Sequence, residues 1–127
     1  MKKRQWFIGS LLVSLILVGC GNQVDDATAQ KYSDKATSIV TKLNAGAYTD
    51  ITKQFDATMK ANLSATQLAE IQPIIEKSGT FKKIEKQSVE EKDGMTTVIL
   101  VAKYQNDKRV YTISYNEENQ ISGLYVK

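Results

Sequence analysis

Thr80-Phe81-Lys82-Lys83-Ile84-Glu85-Lys86 is where the hydrophobic pattern of this 127-residue chain changes period. Upstream, apolar residues recur every three and four positions, as on one helix face; downstream they recur every two, as on one face of a strand. A first strand is predicted from Phe81 to about Glu91, and Asp93-Gly94 is a tight-hairpin signal. Met95 to Gln105 is the second strand. Its centre, Val98-Ile99-Leu100-Val101-Ala102, is apolar at every position, which predicts a mid-sheet strand covered on two sides. Asn106-Asp107 makes the next turn, and Arg109 to Asn116 is the third strand, with Tyr111, Ile113 and Tyr115 on one face. Glu117-Glu118-Asn119 turns the chain into a last strand, Gln120 to Lys127.

The helical half precedes this switch. Ala27 to Ala45 carries Ala29, Tyr32, Ala36, Ile39, Val40 and Leu43 as one apolar stripe, and Gly46 suits a C-terminal cap. Tyr48 to Leu63 reads as one or two short helical pieces, capped by Thr49 or Asp50, with Ile51, Phe55, Met59 and Leu63 four apart. Ser64 followed by Gln67 fits a capping box. Pro73 falls inside the next helical pattern and should kink or split it, and Gly79 ends it. Helices first, then a meander of four antiparallel strands, predict a single α+β domain over residues 27–127, with the curved sheet folded over the helices.

The N-terminus bounds where the domain acts. Met1-Lys2-Lys3-Arg4 is a basic cluster, and an apolar run from Trp6 to Val18 follows it. The run is short for a spanning helix, which needs about 20 apolar residues. It closes on Leu17-Val18-Gly19-Cys20, which resembles a bacterial lipobox. On that reading residues 1–19 are a signal peptide, cleavage falls between Gly19 and Cys20, and the Cys20 thiolate carries a diacylglyceryl thioether. Residues 20–26 are then a short polar tether at the extracytoplasmic face of the cell membrane. The competing reading makes Cys20 an ordinary residue beside an uncleaved anchor helix. Cys20 is the only cysteine, so the domain holds itself together by its core rather than by disulfides. Removing Lys2, Lys3 and Arg4 brings the 17 basic residues level with the 14 acidic ones, which leaves no basic footprint for nucleic acid.

Little in the chain points to catalysis. There is no histidine, so histidine bases, Ser-His-Asp triads and imidazole metal sites are excluded. Glu90-Glu91 and Glu117-Glu118 are adjacent pairs whose members point apart in a strand, and no phosphate loop or calcium loop is present. No cofactor or metal is expected. Asp56 could cap a helix, pair with Lys60, or point into a pocket. Tyr104, Tyr111, Tyr115 and Tyr125 could line a pocket wall, or be half-exposed strand residues favoured by β propensity.

Phe55-Asp56-x-x-Met59, Gly79-x-Phe81 and Ile121-x-Gly123-Leu124 together resemble a family of uncharacterised small bacterial domains in the nuclear transport factor 2-like (cystatin-like) superfamily. The resemblance implies a cone-shaped α+β fold with a pocket between helices and concave sheet. Phe55, Asp56, Met59, Tyr104, Tyr111 and Tyr115 are its candidate lining residues. Relatives of that kind occur as lipoproteins and as modules ahead of serine hydrolase domains, and no hydrolase activity carries over to this chain. The expected role is a non-catalytic binding module for a small apolar ligand, a peptide or an envelope protein. The alternatives are an accessory protein that partners a cell-wall enzyme through its outer surface, and an enzyme built on carboxylates or tyrosines alone.

Overall fold

The computed structural model describes residues 22–127. Gly19 and Cys20, with the whole apolar run before them, lie outside the described residues. The element order is β1 (Asn22–Gln23), α1 (Asp26–Ala45), α2 (Tyr48–Thr52), α3 (Ala57–Asn62), α4 (Ala65–Leu68), a 3-10 turn (Ala69–Ile71), α5 (Gln72–Lys77), β2 (Phe81–Lys92), β3 (Met95–Tyr104), β4 (Lys108–Tyr115) and β5 (Ile121–Val126). The fold is α+β: after the short β1 come the helices and then β2 to β5, and the antiparallel sheet has the order β1-β2-β3-β4-β5, curved by bulges in β2 and β5.

Local chemistry sets each helix. Asp25 caps α1 by accepting from the Thr28 N–H at 2.8 Å, and Gly46 ends it in the left-handed region (φ 76°). Ser33, Ala36, Ile39, Val40 and Leu43 form its buried stripe, while Ala29 and Tyr32 lie at the margin. α2 starts at Ala47 with no side-chain cap, so neither Thr49 nor Asp50 takes that role. The chain breaks helix between α2 and α3, so Ile51, Phe55, Met59 and Leu63 do not share a helix face, although all four pack into or against the core. Ser64 and Gln67 form the capping box of α4. Pro73 sits in the first turn of α5, where its missing N–H costs nothing, and the 3-10 turn before it marks the split.

The sheet differs from its sequence reading in two ways. Asn22–Gln23 pairs antiparallel with Glu91 and Glu90, so the sheet has five strands and the segment read as a tether begins inside it. Two residues show no periodicity, but the open edge of β2 offers them unpaired backbone groups. β3 is central, yet only one of its faces is covered: Thr96, Val98, Leu100, Ala102 and Tyr104 are buried, while Thr97 and Val101 are half-buried and Ile99 is 37% exposed. The described helices pack with the buried face into one core, together with Tyr111, Ile113, Tyr115 and Ile121.

Gly79 is the hinge between the two halves. It has φ 86°, and Ser78 and Thr80 on either side accept from the Asn106 and Gln105 N–H groups at 2.8 Å. A Cβ there would stand 2.9 Å from the Gln105 Cβ, whereas one at Gly46 meets nothing closer than 3.8 Å. Gly46→Ala should therefore cost about 1 kcal/mol for its backbone alone, and Gly79→Ala should cost more. Urea unfolding of the two variants checks this; equal midpoints would show that Gly79 is not held against the β3–β4 turn.

Candidate functional site

The concave face of the sheet, under α1, is where a pocket was expected. Tyr111 and Tyr115 are 0% exposed, Tyr104 is 2% and Phe55 is 1%. All four belong to the core cluster beneath α1. Tyr104 and Phe81 meet edge-to-face at 5.5 Å, and Tyr115 lies tilted against Tyr32 at the same separation. The reading of these tyrosines as half-exposed strand residues is corrected for all but Tyr125, which is 70% exposed on the opposite face.

Burying phenols requires partners. The Tyr104 hydroxyl donates to Asn44 Oδ1 at 2.7 Å, on the last turn of α1. The Tyr104 and Tyr111 hydroxyls also bond each other. With the Tyr104 proton committed to Asn44, Tyr111 is the donor in that pair. The Tyr115 hydroxyl and the Ser33 Oγ are buried with no protein partner. Burial holds the Tyr111 phenol far above its ordinary value, and the hydrogen bond with Tyr104 adds to this. Burial does the same for Tyr115, reinforced by Tyr32.

The Phe55-Asp56-x-x-Met59 residues also have structural duties. The Gln54 carbonyl accepts from the Ile121 N–H at 2.8 Å and the Ile121 carbonyl accepts from the Asp56 N–H at 2.9 Å, bridging Phe55 to the start of β5. The Asp56 carboxylate caps α3, accepting from the Met59 N–H at 2.8 Å. Of its three readings, capping is the one observed. Met59 packs half-buried on the core. Ile121-x-Gly123-Leu124 is explained by a register shift: Tyr115 faces Ile121 but Ser114 faces Gly123, so Ser122 is an extra residue. Ile121 and Leu124, three apart, thereby share the inner side.

Surface hollows among the described residues lie elsewhere, and the three that follow are not lined by the six candidate pocket residues. One of about 440 Å³ is bounded by Glu90, Lys92, Asp93, Met95 and Thr97. One of about 330 Å³ adjoins it, between the Asp93-Gly94 and Asn116–Glu118 turns. The third, about 240 Å³, lies beside Lys60 and Ser64. Among the described residues, no three of His, Cys, Asp and Glu converge as metal ligands, and no helix is long and apolar enough to cross a membrane.

Sequence reasoning missed the outer face of the sheet. Lys83 stands opposite Lys103, and Lys103 opposite Lys108, three lysines abreast on β2, β3 and β4. Glu85 bonds Lys108 Nζ at 2.8 Å. That bond holds its carboxyl below the usual carboxylate range against the opposing effect of desolvation, and the charges of Lys108, Lys103 and Lys83 pull the same way as the bond.

These features define a one-core α+β domain whose concave face carries buried core side chains and whose outer face is charged and partly apolar. A family model described as "Protein of unknown function (DUF3887)" matches residues 36–124, and the chain belongs to that family. The NMR structure of a protein from Ruminococcus gnavus ATCC 29149 shares the fold, with a TM-score of 0.67 at 21% identity over 83% of this chain and 96% of that one. No curated protein matches the chain.

Two tests follow from the phenols. Tyr104→Phe should destabilise by roughly 1–3 kcal/mol, because it leaves the buried Tyr111 hydroxyl without a partner, whereas Tyr115→Phe should be neutral or stabilising. Denaturant titration decides; a clear loss in Tyr115→Phe would reveal a bound partner for its hydroxyl. Raised folded-state values also mean that the neutral phenols contribute stability in full below their unfolded value of about 10. That contribution is lost as pH rises toward the folded values. The urea midpoint should fall above about pH 10, less steeply in Tyr111→Phe. A flat profile would contradict the burial of these groups.

Proposed function

We propose that this chain is a lipid-anchored, extracytoplasmic, non-catalytic binding module that works through its outer surface. The reading also takes the domain as a member of the nuclear transport factor 2-like superfamily whose concave face has been given over to packing. Its anchor is carried by the basic cluster, the apolar run and Leu17-Val18-Gly19-Cys20. The observation that favours the outer surface over an internal pocket is the burial of Phe55, Tyr104, Tyr111 and Tyr115 in the core. With those side chains in place, a small apolar ligand would have to displace them.

The short β1 adds a geometric argument. Only Gly21 separates Cys20 from Asn22, which pairs with Glu91. A lipid on Cys20 would then lie within about 7 Å of the sheet, since one residue spans at most about 3.6 Å. The domain would ride against the bilayer surface rather than swing on a tether. A diacylglyceryl group supplies the two chains that stable anchoring needs.

Mass spectrometry of the mature protein should find an N-terminal, lipid-modified Cys20, and Cys20→Ala should leave an unprocessed, unlipidated precursor. An unchanged precursor size and unchanged membrane extraction in that variant would contradict the anchor. Native mass spectrometry of the protein extracted from membranes should show no co-purifying apolar small molecule; a stoichiometric one would overturn the outer-surface reading.

A further inference from the structure

The lysine row on the outer face is the feature that packing does not explain. Like charges directly opposite on neighbouring strands destabilise a sheet. Here Lys103 has Lys83 on one side and Lys108 on the other. The β2 bulges make this arrangement: register shifts between Phe81 and Lys83 and between Ile84 and Lys86 set Lys83 and Lys86 on the same face, three residues apart. Lys86 stands opposite Val101 and extends the row toward the centre of the sheet. Glu85 is the carboxylate that meets it, through Lys108. Asp107 is engaged by Arg109 at 3.2 Å. Among the described residues, no ion pair reaches Lys83, Lys86 or Lys103, and all three are exposed.

The other end of the sheet is net acidic, with Lys92 among more numerous carboxylates. Glu90, Glu91 and Asp93 lie at the β2–β3 turn, and Glu117 and Glu118 at the β4–β5 turn. β1 pairs at Glu90 and Glu91, so the chain leads toward Cys20 from the acidic end. Along β2 the lysine row is roughly 26 Å from that point, at about 3.3 Å per residue. The tether, rather than charge, would keep the row outward: held at its acidic end, the domain would place the lysines several Debye lengths (about 8 Å each) from the bilayer, where attraction to anionic headgroups is largely screened.

We propose that Lys83, Lys103 and Lys108, extended by Lys86, form a binding surface for an extended, phosphate-bearing polyanion that lies outside the bilayer. The row is exposed, and none of the three surface hollows includes its lysines. A compact anion would need a shaped cradle, and the aromatic side chain that could anchor a folded protein on this face, Tyr125, pairs with Thr112, four residues along β4 from Lys108 and so outside the row. Lysines are mobile point charges without a fork geometry, suited to charge density along a chain rather than to one shaped group. Half-buried Val101 and Val110, paired beside the row, add an apolar floor. The surface itself stands without the lipid; only its outward orientation rests on the anchor reading.

The test uses full-length protein in neutral detergent with long-chain inorganic polyphosphate as the probe. Binding should weaken with salt, with a log–log slope of about −3 for four lysine contacts. Lys83→Gln/Lys103→Gln/Lys108→Gln should bind at least tenfold more weakly (about 1.4 kcal/mol). Lys83→Gln/Lys103→Gln, which spares the Lys108–Glu85 bond, should unfold at the same or a higher temperature, because it relieves repulsion. Lys53→Gln/Lys60→Gln/Lys92→Gln, which removes as many charges as the first triple variant but elsewhere, should bind as the parent does. Equal binding by the two triple variants would overturn the site. Equal lysine-dependent binding to polyglutamate would overturn the phosphate assignment. Lysine-dependent binding to phosphatidylglycerol vesicles without binding to polyphosphate would assign the surface to the membrane and overturn the proposal. Cys20→Ala should bind polyphosphate unchanged, so failure of the anchor and failure of this surface give different results.

Discussion

The packing of one sheet face beneath α1 is the constraint from which the rest follows. The face is broad, and it is filled largely by aromatic rings: Phe55, Tyr104, Tyr111 and Tyr115, with Leu100, Ile113 and Ile121 among them. Phenols bury a large apolar body but bring a hydroxyl that must be satisfied. Asn44 meets that demand at the C-terminal end of α1, and the Tyr104–Tyr111 pair carries the bond across to β4. The helix is thereby tied to two strands at one point. At the other end, the Phe55–Ile121 bridge ties the short helices to β5. Both ties lie on the same side of the sheet, and the opposite side is left to solvent.

That asymmetry separates structural residues from those open to a functional role. Asp56, a candidate pocket residue, and the motif glycines Gly79 and Gly123 act as a cap, a hinge and part of a bulge. Their chemistry is spent within the chain. The outer face has no such internal account. Its lysines oppose one another, and Ile99 and Tyr125 stay exposed on it. Side chains kept where they do not help folding are the better candidates for contact with something else.

Much of the fold was legible because local signals agreed with one another. The shift of period at Thr80, the Asp93-Gly94 turn, the Ser64–Gln67 box and Pro73 each had one physical reading, and each element formed where it was expected. Features set by register were not legible. An unbroken two-residue hairpin at Asp93-Gly94 would place Lys83 opposite Tyr104; the bulges place it opposite Lys103 instead. Without the extra residue at Ser122, Tyr125 would share the inner side with Ile121; with it, Tyr125 faces outward. One inserted residue reverses every following side chain. Nor could the apolar run in β3 reveal that only one of its faces would be covered, because periodicity records apolarity and not what lies above it.

The filled concave face is the claim on which the outer-surface account depends. Xenon enters apolar voids that are large enough to hold a ligand and leaves close-packed interiors unmarked. Pressurising the purified protein with xenon, while following the methyl resonances of Leu100, Ile113 and Ile121, reads that interior directly. The account predicts no saturable shift at any of the three. A saturable shift would show an internal cavity beside the tyrosines and return the search for a ligand to the concave side.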